Sequence, residues 1–198
     1  MRAALRFVAP AAALLALSGC ISFGGDTPDS LLTLTSDASA PAGSGTSATA
    51  ATAIAMSDFT APQKLDVTRV PVQVSESEIA YVKDAVWVEK PARLLRRLIA
   101  ETIRSQGDRL VIDGDDPGAL ASTRLSGTLR EFGFDARSGE VVLVLDAALA
   151  GEGSRVTTRR FEARVPGVVA KAGPVGVALN QAANDVARDV SAWVGSAS

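Results

Sequence analysis

The stretch TRLSGTLREFGFDARSGEVVLVLDAALAGEGSRVTTRRFEARV, residues 123–165, decides the fold. In its first third Leu125, Gly127, Leu129 and Glu131 alternate with Arg124, Ser126, Thr128 and Arg130, the period-2 pattern of a strand with one buried face. Phe132 and Phe134 continue the apolar set past a switch of face. Arg137-Ser138-Gly139 then supplies a tight turn. Residues 141–150 form a nearly unbroken apolar run, which calls for burial on both faces or a central place in a sheet. Gly151-Glu152-Gly153-Ser154 turns the chain once more into 156–165, where Phe161, Ala163 and Val165 share a face. Three consecutive strands joined by short turns make an antiparallel meander.

The apolar face of such a meander needs a cover, and the flanking sequence supplies two helices. Pro91 opens the first at a position where proline costs nothing, because the N–H it lacks would have no helical partner there. Leu94, Leu95, Leu98, Ile99, Thr102 and Ile103 recur at three- and four-residue steps, with Arg93, Arg96, Arg97, Glu101 and Arg104 opposite, and Gly107 ends the helix. A second helix over 174–194 carries Val175, Leu179, Ala182, Val186, Val190 and Trp193 as one stripe, with Ala178, Ala183 and Ala187 small enough for close approach to a sheet. Between the first helix and the meander, 109–113 reads as a short strand running into the turn at 114–118. Upstream, Leu65, Val67, Val70, Val72 and Val74 alternate as a half-buried strand, and Pro71 puts it at an edge or a bulge. A turn at 75–78 leads to two short extended pieces, 79–82 and 85–88, read as a hairpin around Lys83-Asp84. The fold expected is a single α+β domain over 31–198, with a largely antiparallel sheet and two main helices packed on one face.

Toward the N-terminus, 31–35 reads as a short first strand and 36–53 as a flexible low-complexity loop with almost nothing large enough to bury. The folded body is expected to resume near Lys64. Before it, Leu17-Ser18-Gly19-Cys20 looks like a bacterial lipobox. Arg2 and Arg6 precede an apolar stretch over 7–17, too short to span a bilayer and suited to the core of a signal peptide. Residues 1–19 are then the leader, Cys20 the acylated mature N-terminus, and 20–30 a tether in which Gly24-Gly25 and Pro28 discourage regular structure. Two or three acyl chains on one cysteine anchor durably, whereas one holds only reversibly.

Composition excludes several classes. Of the 20 basic residues, loss of Arg2 and Arg6 leaves 18 against 22 acidic ones, a net charge of −4, with no global field to recruit nucleic acid. The basic cluster Arg93, Arg96 and Arg97 reads as a solvated helix face. There is one cysteine and no histidine, so a disulfide framework, a Ser-His-Asp triad and a His-liganded zinc site are all out of reach. Asp113, Asp115 and Asp116 lack the ligand spacing of a calcium loop, and Gly-Pro-Val-Gly at 173–176 lacks the lysine of a phosphate loop. No cofactor motif is present.

Ile79-Ala80-Tyr81-Val82-Lys83-Asp84-Ala85-Val86-Trp87-Val88-Glu89 with the Pro91 helix after it resembles the ABC-type transport auxiliary lipoproteins, which include the PqiC-like lipoproteins of MCE-domain lipid transport systems. The likeness extends through Leu65-Asp66, the strand around Leu125, Arg160-Phe161-Glu162-Ala163 and the helix ending at Trp193-Val194. It implies a non-catalytic, lipid-anchored periplasmic subunit whose partners are an MCE-domain protein and an ABC permease and ATPase. Ile21 after the acylated cysteine favours the outer membrane over the inner by analogy with enteric bacteria. Val72, Tyr81 and Trp87 are the candidate partner contacts, on the argument that Pro71 marks an unpaired edge open to another chain's strand or to a second copy. Trp87 also reads as an anchor between sheet and helix. Two other readings stay open: a structural envelope lipoprotein that binds peptidoglycan or assists outer-membrane assembly, and a hydrolase working through two carboxylates.

Overall fold

The computed structural model describes residues 30–107, 109–113, 121–151 and 155–196. The leader, Cys20 and the tether through residue 29 lie outside the described residues, as do Asp115 and Asp116. In chain order the described elements are β1 (Ile54–Thr60), β2 (Arg69–Gln73), β3 (Ile79–Val86), α1 (Pro91–Ser105), β4 (Val111–Asp113), β5 (Thr123–Asp135), β6 (Glu140–Ala150), β7 (Val156–Val165) and α2 (Ala172–Ser196).

The long strand β5 organises a single mixed sheet. On one side β6 pairs with it antiparallel from Arg124↔Ala150 to Asp135↔Glu140, and β7 continues the meander. The other side is shared. β1 runs parallel to the first half of β5 and β2 parallel to its end, with Val72 opposite Phe134. β4 lies outside β1 and β3 outside β2. The α+β class and the meander stand as read, with parallel pairings where the N-terminal strands join.

The switch of face inside β5 is a bulge between Leu129 and Glu131, which lets Leu129 and Phe132 both point into the core. Val141, Leu143, Leu145, Ala147 and Leu149 of β6 are buried under the helices, while Val142, Val144 and Asp146 alternate onto a half-buried face. The apolar run of β6 therefore reflects its central place between β5 and β7, with helices on one face only. α2 packs on β6 and β7, α1 on β1, and the two helices pack on each other. Every residue of the α2 stripe is buried, as are Leu94, Leu95, Leu98, Ile99 and Ile103 of α1. Gly107 closes α1 at φ +76°, a conformation that glycine adopts without strain.

Four sequence readings are corrected. β1 is a central strand within a stretch that the sequence reading left outside the core. Ile54 and Met56 point inward, and Phe59 lies against Gly127, where a Cβ would come within 3.0 Å of its ring. The strand read from Leu65 starts only at Arg69; Leu65 is buried in a turn closed by its N–H on the Pro62 carbonyl at 2.8 Å. The hairpin at 79–88 is one strand with a bulge, because Arg69 pairs with Val86 and Pro71 with Tyr81, so the residues around Asp84, at φ +60°, loop out.

The fourth correction concerns 31–35, which forms one parallel bridge, Leu32↔Trp87, and then leaves the sheet as a strap along α2. Leu32 donates to the Val86 carbonyl at 2.7 Å and accepts from the Val88 N–H at 2.8 Å, while its side chain occupies the space left by Gly176. One helical turn on, the Asn180 side chain accepts the Thr35 N–H at 2.8 Å. Another turn on, Asn184, 3% exposed, donates to the Thr35 carbonyl and accepts the Asp37 N–H, both at 2.9 Å. Glu101 of α1 takes the Ala40 N–H at 2.9 Å.

Candidate partner-binding surfaces

Of the three candidate contacts, Trp87 is 1% exposed and stacks on Phe132 with ring centroids 5.3 Å apart. It is a core anchor between the end of β3 and β5, and as folded it offers a partner no surface. Val72 is half-buried and flanked on both sides, by Ala80 of β3 and Phe134 of β5. Pro71 therefore marks a bulge inside the sheet, and the edge lies one strand further out. Tyr81 stands on that edge strand, β3, half-exposed, with the Arg69 guanidinium 3.8 Å above its ring. The free edge of β3 is interrupted after Val82 by the bulge at Lys83-Asp84, a device that limits strand addition. At the opposite side of the sheet, β7 pairs with β6 through ten successive residues with no register shift and, among the described residues, has no strand beyond it. The sequence signal for that edge is the polar run Thr157-Thr158-Arg159-Arg160, all exposed, which the internal strand β6 lacks.

The sheet face away from the helices carries the charge. Asp146 at its centre receives Arg130 at 2.8 Å and Arg160 at 2.6 Å, and Arg164 spans Glu162 at 2.5 Å and Glu140 at 3.4 Å. Toward the β5–β6 turn this face sinks into a groove of about 520 Å³ over Val142, Val144, Gly133 and Pro71. Lys64 and Glu131, joined at 2.6 Å, form one wall and Asp135 with Arg137 another. Hydrogen bonds from Arg137 hold the Asp135 carboxyl at about 2, below its usual 3.8, and Arg160 and then Arg130 do the same for Asp146. Glu101 is also lowered, first by the Ala40 N–H of the strap. A general acid at neutral pH needs a carboxyl shifted upward, so Asp135 and Asp146 are poised for ion pairing and against proton donation. Among the described residues, no three carboxylate or cysteine side chains gather as a metal site. No described helix is long and apolar enough to cross a membrane.

The described residues form a two-layer α+β body, with two helices on one face of a mixed sheet and arginines paired to the carboxylates of the other. The chain belongs to the family of ABC-type transport auxiliary lipoprotein components, whose sequence model matches residues 32–191. Protein XCC0632 from Xanthomonas campestris shares its fold, with a TM-score of 0.70 at 17% identity over 83% of this chain and 94% of that one. A second solved structure, an uncharacterized protein, gives 0.64 at 14% identity over 83% and 99%. The PelC dodecamer from Paraburkholderia phytofirmans is a looser likeness, 0.40 at 17% over 72% and 90%. No curated protein matches the chain in sequence.

Proposed function

We propose that this protein is a non-catalytic subunit, anchored through acylated Cys20 at the periplasmic face of the envelope, that docks an MCE-domain lipid carrier served by an ABC permease and ATPase. The observation that carries this reading is the match of residues 32–191 to auxiliary lipoproteins of ABC-type transport. The lipobox ending at Cys20 supplies the anchor, and Ile21 after it favours the outer membrane. Docking rests on shape and strand edges: of the candidate contacts Tyr81 is the one on an edge strand, Val72 being half-buried between β3 and β5, and β7 is the longer edge. The absence of histidine and the ionised state of Asp135 and Asp146 favour binding over hydrolysis.

Two measurements test it. Cys20→Ser, which cannot form the thioether, is expected to lose metabolic fatty-acid labelling and membrane retention after carbonate extraction; equal labelling and retention would sink the anchor. Affinity purification from detergent-solubilised membranes is expected to bring down an MCE-domain protein, with recovery reduced by Tyr81→Asp at unchanged melting temperature. If no transporter component accompanies the wild type, or if the purified protein hydrolyses an envelope glycan or lipid ester, the docking reading is wrong.

A further inference from the structure

Seven large apolar side chains are exposed among the described residues: Leu31, Val74, Ile79, Val88, Val156, Val169 and Val177. Leu31, Val88 and Val177 stand around Leu32 at the first turns of α2, Val169 lies in the loop before α2, and Val74 and Ile79 stand at the far tip of the β2–β3 hairpin. The Val168 N–H on the Gly139 carbonyl at 3.0 Å sets the loop before α2 against the β5–β6 turn. The Ala136 N–H on the Gln73 carbonyl, also at 3.0 Å, brings the tip of the β2–β3 hairpin to the same turn, with Val74 and Ile79 flanking that tip. Leu32 is seated on Gly176 in the first turns of α2 and bonded to the Val88 N–H, which places Leu31, Val88 and Val177 there. Val156, paired with Ala150, stands at the far end of β6.

We infer that the end of the body at the start of α2 docks onto the bilayer that holds the lipid anchor, with Leu31, Val88, Val169 and Val177 reaching into the interfacial layer. The inference rests on the proposed acylation of Cys20. Only ten residues separate Cys20 from Leu31, so the chain can place its point of entry no more than about 40 Å from the anchored cysteine. The point of entry is also where exposed Leu31, Val88 and Val177 stand. Patches of exposed apolar side chains on a soluble body mark interaction sites, and a surface held permanently beside lipid meets lipid first. Val177 is 74% exposed and Val169 58%, so neither contributes much to the core. The first turn of α2 carries no acidic side chain, and exposed Lys171 stands beside it.

The test uses the mature, acylated protein reconstituted in phosphatidylethanolamine–phosphatidylglycerol vesicles. Since Cys20 is the chain's one cysteine, Val177→Cys and, as a distant control on the outer sheet face, Thr158→Cys can each carry a single environment-sensitive fluorophore. The expected result is a blue-shifted emission at 177, quenched several-fold by nitroxide-labelled lipid, with position 158 unaffected. If the protein floats with the vesicles but 177 is no more quenched than 158, the docking inference is overturned and the anchor stands. If 177 is shielded from a water-soluble quencher yet indifferent to the lipid-borne one, the patch is a protein contact and the inference is likewise overturned. If the protein does not float at all, the anchor reading fails and the inference falls with it.

Discussion

Gly133 carries no Cβ because Pro71 stands where one would be: an added methyl would lie 2.4 Å from the Pro71 carbonyl oxygen. The bulged proline and the glycine are one device, letting β2 cross close to β5 at the groove floor. Gly133→Ala must shift backbone, and a destabilisation of about 1 to 3 kcal/mol is expected, typical of overpacking. Chemical denaturation of wild type and variant measures it, and superimposable curves would contradict the crowding. Trp87 shows how residue type can be legible while role is not: the sequence allowed both an anchor and a contact, and only burial against Phe132 separates them. The carboxylates of the outer face give a pH prediction. Asp135 and Asp146 titrate near 2 when folded and near 3.8 when unfolded, so the unfolded chain takes up their protons first. Their contribution to stability is complete above about pH 4 and is lost as pH falls toward 2. Melting temperature should therefore drop through that window, and less steeply in an Asp135→Asn, Asp146→Asn double variant. The partner guanidiniums are about half-exposed or more, so added salt should shrink the difference.

Elements with a strong period were legible. The meander, α1 with Pro91 and Gly107, and the α2 stripe all follow from the spacing of large apolar residues, because each buries one face against the others. β1 and the strap were not. β1 has a register shift between Met56 and Phe59 that breaks its alternation, so its short apolar pattern merges with the alanine- and threonine-rich stretch before it. The strap has no strand partner beyond Leu32. Its backbone is read instead by the side chains of Asn180, Asn184 and Glu101, on elements about 60 to 150 residues away in sequence, a pairing no local pattern announces. Asn184 is the test of that account. Asn184→Ala leaves the Thr35 carbonyl and Asp37 N–H without partners, and a loss of about 1 to 3 kcal/mol is expected. Amide exchange should quicken at Thr35 to Ala40 well before the β5–β6 ladder changes. Uniform acceleration across both would mean that the strap and sheet open together.

At the scale of the whole molecule, one layer of helices covers one face of the sheet, and the other face is finished with ion pairs. The strap adds a mechanical consequence. Any tension applied at the N-terminus arrives first at Leu32, then at Thr35, then at Asp37, so the attachments are loaded in series from the N-terminal side. Peeling as far as Ala53 would pay out 22 residues of slack, up to about 75 Å, while the sheet stays whole. Under a steady pull at the N-terminus, single-molecule extension should show this early, low-force step ahead of global unfolding; one cooperative rip would mean the leash has a fixed length.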